Sequence, residues 1–290
     1  MRKLMSLLAG AVFAAGLASA PTVADAYEAV CGPLGVLHYQ KEKAFDGYTL
    51  YTNHLGGTKT YLIDMKGNVV HEWNHGRQAF MAELLPNGNL MRLEQGPGNP
   101  VSFGGWHGSL REYDWDGNVV WEFNQAEFIE DPGEKPQWMA RQHHDFQRTG
   151  STTGYFAPGC EPQSLSGNTL VLCHRDAHCP YISDKALLDD VVYEVNWEGE
   201  IIWEWQCVDH VEEMGFSEAA RNAMSRSPNY RGGSLIENAP ALGDWMHINS
   251  MSTLGPNKWY DAGDERFHPD NIIMDGRETN IIFIIDKKPG

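Results

Sequence analysis

DMKGNVVHEW (64–73), DWDGNVVWEF (114–123) and NWEGEIIWEW (196–205) are three versions of one ten-residue phrase. Each opens on Asp or Asn and reaches Gly three residues later. A polar residue, two β-branched residues and an aromatic end follow. A Gly at that place reads as a tight turn, because it adopts positive φ without steric penalty. The β-branched pair and the aromatics read as a strand. The phrase therefore predicts a β-hairpin, written three times. Period 2 puts Val69, His71 and Trp73 on one face, then Val119, Trp121 and Phe123, then Ile201, Trp203 and Trp205. Aromatics at that register predict burial between packed sheets, so these Trp are core rather than ligands.

A second kind of hairpin lies between the phrases. MAELLPNGNLMRLE (81–94) and EPQSLSGNTLVLCHR (161–175) each carry a Gly-Asn turn between two β runs. HINSMSTLGPN (247–257) begins another, with NIIMDGR (271–277) as its returning strand. GYTLYTN (47–53) and TYLID (60–64) precede the first phrase. One inner and one outer hairpin make a four-stranded unit. Such repetition predicts an all-β fold, a β-propeller of four-stranded blades. Residues 46–76 give a unit without its inner strand, and 78–124 and 143–206 give whole ones. A last unit starts near Met246 and runs through NIIFIID (280–286) into a turn. That is about four blades, the last incomplete, and a ring must close, so further blades or a closing partner are expected. Insertions occupy 127–142 and 207–243. Within the second, SEAARNAMSR (217–226) predicts a helix with Ser217 as its N-cap.

Arg2 and Lys3 followed by the apolar run Leu4–Leu17 read as a secretory signal. Ala24-Asp25-Ala26 is the preferred cleavage site, because Pro21 follows the other candidate. The expected organisation is a signal peptide over 1–26, a lead-in over 27–45 and the propeller domain over 46–290. The mature protein is expected to be exported, periplasmic or secreted. In an oxidising compartment disulfides are the default, and Cys160–Cys173 or Cys173–Cys179 are both open among the five cysteines. CHRDAHC (173–179) fits no zinc spacing, so no metal is expected. A formal net charge of -17 excludes a nucleic-acid partner. No other stretch is apolar enough to span a membrane.

His144-Asp145 opens one inner strand, DWMHINS (244–250) opens the next, and DNIIMDGR (270–277) returns beside it. In that order these motifs resemble the bacterial PAPS-independent arylsulfotransferases, from about residue 46 to the end. The resemblance implies a six-bladed propeller that moves sulfuryl from one phenol to another through a sulfated histidine. It implies no cofactor and small-molecule partners only, an aryl sulfate and a phenol. It places His144, His247 and Arg277 at the reaction and Asn249 at the sulfate. The family's nucleophilic histidine lies in a later blade, past the equivalent of Arg277, so the resemblance puts it beyond residue 290.

The residue chemistry agrees. A guanidinium holds two sulfate oxygens bidentately, and imidazoles donate hydrogen bonds or move the phenol proton. A one-residue register shift would exchange His143 for His144. Arg175 ends a return strand much as Arg277 does, which makes it a second anion-binding candidate. No Gly-rich loop leads a strand into a helix, which argues against a nucleotide donor. Two other classes stay open. One is a non-catalytic propeller that binds a partner. The other is a quinoprotein-dehydrogenase-like propeller, for which no carboxylate-Asn set holding calcium and a quinone is evident.

Overall fold

The structure is a computed structural model that describes residues 35–53, 57–96, 108–129, 136–149, 167–184, 187–224 and 243–287. The expected signal segment, Cys31 and Cys160 lie outside them. Residues 1–46 form a unit of their own, in which one 3-10 turn, Lys41–Lys43, is described. Everything below concerns residues 47–290.

This unit is all-β with antiparallel sheets. β1 (Tyr48–Thr52), β2 (Lys59–Asp64) and β3 (Val69–Asn74) make a three-stranded sheet in chain order. A four-stranded sheet follows, of β4 (Ala79–Leu84), β5 (Leu90–Gln95), β6 (Gly108–Tyr113) and β7 (Val119–Asn124). β8 (Ala126–Ile129) pairs with β9 (Gln137–Ala140), so the first insertion carries a hairpin of its own. The next four-stranded sheet is β10 (Gln142–Arg148), β11 (Thr169–Ala177), β12 (Leu187–Val195) and β13 (Ile201–Gln206). The last has three strands, β14 (Ile248–Thr253), β15 (Ile272–Gly276) and β16 (Ile281–Ile285). Each sheet is a simple meander, and consecutive sheets share apolar clusters. Leu62 and Trp73 of the first meet Leu90 and Tyr113 of the second. Leu93 and Phe123 of the second meet Val171 and Val191 of the third, and Leu172 and Val192 of the third meet Met251 and Ile272 of the last. Meanders packed in sequence order are a propeller-like arrangement.

The repeated phrase works as a turn clamp. Asp64 Oδ1 accepts the backbone N–H groups of Lys66 and Asn68 at 2.9 and 2.8 Å, and the Asn68 amide returns to Asp64 Oδ2 at 2.8 Å. Asp114 and Asn118 repeat this, and Asn196 with Glu200 does so with the side-chain donor reversed. Gly67, Gly117 and Gly199 sit at φ 83, 87 and 84°, where a side chain would be strained. The Trp residues then join one phrase to the next. Trp73 Nε1–H donates to the Asp114 carbonyl at 3.3 Å, and Trp121 Nε1–H to the Trp197 carbonyl at 2.9 Å. Trp203 instead lies under Lys287 Nζ, 5.6 Å from its ring centre.

Two expectations need correction. Trp73 and Trp121 are buried at 2 and 5 %, but Val69, Val119 and Ile201 are 54, 50 and 41 % exposed. The burial predicted for the whole face therefore holds at the Trp and not at the strand residue next to the turn. Cys173 and Cys179 carry free thiols, so the Cys173–Cys179 bridge is not formed, and Cys173 is buried within β11. The second insertion holds α1 (Glu218–Met224), and Ser217 Oγ accepts the Ala220 N–H at 3.2 Å, the expected cap.

Trp121 is both core and joint, with the Arg148 guanidinium 4.6 Å above its ring. Trp121→Ala is expected to cost about 3–5 kcal/mol, the range for large aromatic truncations in cores. Trp121→Phe is expected to cost only about 0.5–1.5 kcal/mol from the lost hydrogen bond. Denaturant midpoints at constant slope measure both. Equal losses would mean that the indole N–H rather than the packing dominates.

Candidate functional site

The site grows from irregularities at the starts of two neighbouring strands. The β10 register shifts between Gln142 and Phe146, and the β14 register shifts between Ile248 and Met251. His144 and His247 stand at these starts with φ of 49 and 51°, a left-handed conformation that a non-Gly residue rarely adopts. A bulge frees backbone N–H groups, and nearby carboxylates take them. Asp145 Oδ2 accepts the Met251 N–H at 2.8 Å, and Asp275 Oδ1 accepts the Ser250 N–H and hydroxyl at 2.7 and 2.9 Å. Gln147 and Thr253 exchange two more bonds, at 2.8 and 3.1 Å. The Asp145 and Gln147 contacts pin β10 to β14. Burial pushes the Asp145 carboxyl up to about 6, against the pull of the N–H groups it accepts.

The pinning sets the rings. His144 and His247 meet edge to face, 5.2 Å between centres, and Phe80 covers His144 at 5.5 Å. His247 Nδ1 lies 2.5 Å from Asp244 Oδ2, and its Nε2 lies 2.9 Å from Arg277 Nη1. Arg277 can only donate, so in this arrangement Nε2 is an acceptor and Nδ1 carries the proton toward Asp244. Burial lowers the His247 pKa, but the hydrogen bond and charge of Asp244 outweigh it and the net shift is upward. Asp244 thus favours imidazolium, and a proton arriving on Nε2 would displace Arg277. The Arg277 side chain is 54 % exposed, so an anion can reach it.

The backbone explains the position of Arg277. Its N–H donates to the His247 carbonyl at 3.2 Å, and the Glu278 N–H to Met246 at 3.0 Å. Gly276 just before it has no room for a Cβ, which would fall 2.3 Å from Thr279 Oγ1 and 3.2 Å from Met246 Cε. Asp244 is set by a bridge beside Leu188. Trp245 Nε1–H donates to Asp189 Oδ1 at 2.7 Å, and burial pushes the Asp189 carboxyl up to about 7.

Behind the exposed pair lies a buried group. His143 Nδ1 is 3.1 Å from His144 Nδ1. His143 Nε2 and His174 Nε2 approach Asp190 Oδ1 at 3.2 and 3.7 Å. Burial pushes His143 and His144 down to about 3, lowers His174 strongly and raises Asp190 strongly. The three possible ligand atoms of His143, His174 and Asp190 lie within 4.8 Å of one another. The two rings, however, stack 3.8 Å apart at 13°. An ion must lie near the plane of each imidazole it binds, and parallel stacked planes share no such point, so this arrangement does not fit a shared metal.

Residues 162–290 match the protein family described as Arylsulfotransferase (ASST). This segment is similar to the arylsulfotransferases. No curated protein matches the chain. The matched segment contains Asp190, Asp244, His247, Asn249 and Arg277, whereas His143 and His144 come from the strand before it.

The structure brings His144, His247 and Arg277 together. Asn249 sits half-buried in the β14 bulge of the same matched segment, two residues after His247. Arg175 is not part of this group. Its guanidinium is held by Tyr193 Oη at 2.7 Å, Glu204 Oε2 at 2.8 Å and Gln206 Oε1 at 3.1 Å. Three members went unassigned in the sequence. Asp244 stands inside DWMHINS, three residues before His247. Asp190 breaks the apolar run LLDDVVYEV (187–195), and a carboxylate buried in a strand is a signal that could have been read. His174 stands inside CHRDAHC, where the cysteine spacing is the stronger signal.

Proposed function

We propose that this protein transfers a sulfuryl group from a phenolic sulfate ester to a phenolic acceptor, through a histidine intermediate and without a nucleotide donor. The reading takes the four sheets as blades of a β-propeller and the protein as exported, periplasmic or secreted. The observation that carries it is the three-part contact Asp244–His247–Arg277, with His144 against the same imidazole. The arylsulfotransferase-family match supports it independently.

In this reading an incoming sulfate draws the Arg277 guanidinium off His247 Nε2. The guanidinium then spans two sulfate oxygens. Nε2 takes up a proton and donates to a third oxygen, and Asp244 stabilises the imidazolium so formed. Both groups are aimed before the reaction at oxygens whose charge grows as the S–N bond to the nucleophilic histidine, a residue other than His144 and His247, forms and the S–O bond to the leaving phenol breaks. His144 exchanges the phenol proton, and the Asn249 amide binds the sulfate beside it.

The test is release of a chromogenic phenol from its sulfate ester, with and without a second phenol as acceptor. Acceptor-dependent release with sulfation of the second phenol is expected. Absence of both would defeat the transferase reading and leave a binding propeller.

A further inference from the structure

A third inner strand carries the same irregularity as the two that build the site. The β4 register shifts between Ala79, opposite Glu94, and Met81, opposite Leu93, so Phe80 is one residue too many for the ladder. The extra residues of β10 and β14 include His144 and Asn249. Pairing resumes before the shift, where the Gln95 N–H donates to the Gln78 carbonyl at 2.9 Å, so the bulge is confined to Phe80. Its ring lands beside His144, 81° from that plane and 5.5 Å between centres. Phe80 packs in part against the apolar cluster holding Leu93 and Phe146 and stays half-buried. Four side chains thus follow one another in contact. Arg277 Nη1 meets His247 Nε2 at 2.9 Å, the His247 ring meets His144 at 5.2 Å, and His144 meets Phe80. The series runs from a cation to a hydrocarbon. Arg277 is charged, the His247 pKa is raised, burial pushes the His144 pKa down to about 3 and keeps it neutral, and Phe80 has no polar side-chain atom. An aryl sulfate has the same order: an anion, an ester oxygen and a ring.

We propose that Phe80 is the wall that selects the aromatic ring of the substrate: with the sulfate on Arg277 and His247, the ring reaches past His144 and packs against Phe80. The inference rests on the transferase reading above and adds to it the side chain that recognises the ring. Arg277 and His247 contact only sulfate oxygens, which an alkyl sulfate presents equally well, so they do not distinguish the two classes. Phe80 does, because offset or edge-to-face aromatic pairs gain beyond the area they bury. A few polar groups at one end and an apolar wall at the other is the usual division between orientation and affinity in a small-molecule site. Donor and acceptor phenols present their oxygens to the same histidines, so one wall serves both. Phe80 binds and orients but moves no proton, and its contribution falls on KM rather than on kcat.

Phenyl sulfate and cyclohexyl sulfate share the anion and differ in the ring, so the ratio of their affinities, measured by calorimetry, isolates the wall. The unaltered protein is expected to prefer phenyl sulfate. Phe80→Leu keeps an apolar side chain and is expected to lower that preference by roughly 2–10-fold, the worth of one aromatic pair, with cyclohexyl sulfate held almost as before. Phe80→Tyr keeps the ring and should keep the preference. Arg277→Lys should weaken both esters alike. An unchanged ratio in Phe80→Leu, or equal weakening of both esters, would overturn the proposal, since a residue that only supports His144 does not read the ring. The second measurement needs no variant. Ring protons of bound phenyl sulfate should show nuclear Overhauser effects to Phe80, and their absence would count against the proposal just as decisively. Ring-selective binding without transfer would end the transferase reading and leave the ring site standing. Transfer with an unchanged ratio would do the reverse, and failure of the unaltered protein to bind either ester would defeat both.

Discussion

Asp244→Asn is expected to lower turnover by roughly 10²–10⁴-fold, the span between losing one preorganised contact and losing the carboxylate that orients a catalytic histidine. The reason is local. Asp244 Oδ2 is the only partner of His247 Nδ1 among the described residues, at 2.5 Å. An Asn can present its amide oxygen to Nδ1–H, so the ring orientation survives. The negative charge does not, and it is that charge, with its hydrogen bond, that raises the His247 pKa against burial. The variant should therefore change the pH profile as well as the rate. His247 is protonated below its raised pKa and loses its Nε2 proton as pH rises through it. Aryl sulfate binding should weaken on that alkaline side, and in Asp244→Asn the weakening should start at lower pH. A rate loss with an unshifted profile would mean that Asp244 acts only on the backbone.

Arg277→Lys is expected to lower turnover by roughly 10²–10³-fold, as for removal of one oxyanion donor. The charge is kept, but an ammonium cannot span two oxygens as the guanidinium fork does. Nothing in the fold depends on the exchange, because the structural part of residue 277 is its backbone N–H on the His247 carbonyl. Far-UV circular dichroism and thermal midpoint should stay near those of the unaltered protein. Full activity of Arg277→Lys, with transfer otherwise established, would move the sulfate away from this arginine.

The hairpins were legible because their causes are local. Asp, Gly and Asn within five residues specify the clamp around Gly67 with little help from elsewhere. Ser217 and the helix it caps are local in the same sense. The β10 start was not, since alternation cannot tell His143 from His144 where a bulge breaks the period. The structure uses both, with His144 against His247 and His143 turned toward Asp190. Arg175 was likened to Arg277 by its place on a return strand. β15 ends at Gly276 and releases Arg277, whereas β11 runs on to Ala177 and keeps Arg175 paired across from Asp189. Asp190 faces a histidine two strands away in its own sheet, which only the folded sheet brings into reach, whereas Asp244 stands three residues before His247 and is a local signal.

A structure of the protein with a bound aryl sulfate tests the central claim most directly. The account predicts the sulfate between Arg277 and His247, with two oxygens on the guanidinium, one on His247 Nε2 and the ester oxygen toward His144. Arg277 Nη1 should then have left the 2.9 Å contact that it makes with His247 here. A sulfate seated elsewhere, with that contact intact, would contradict it.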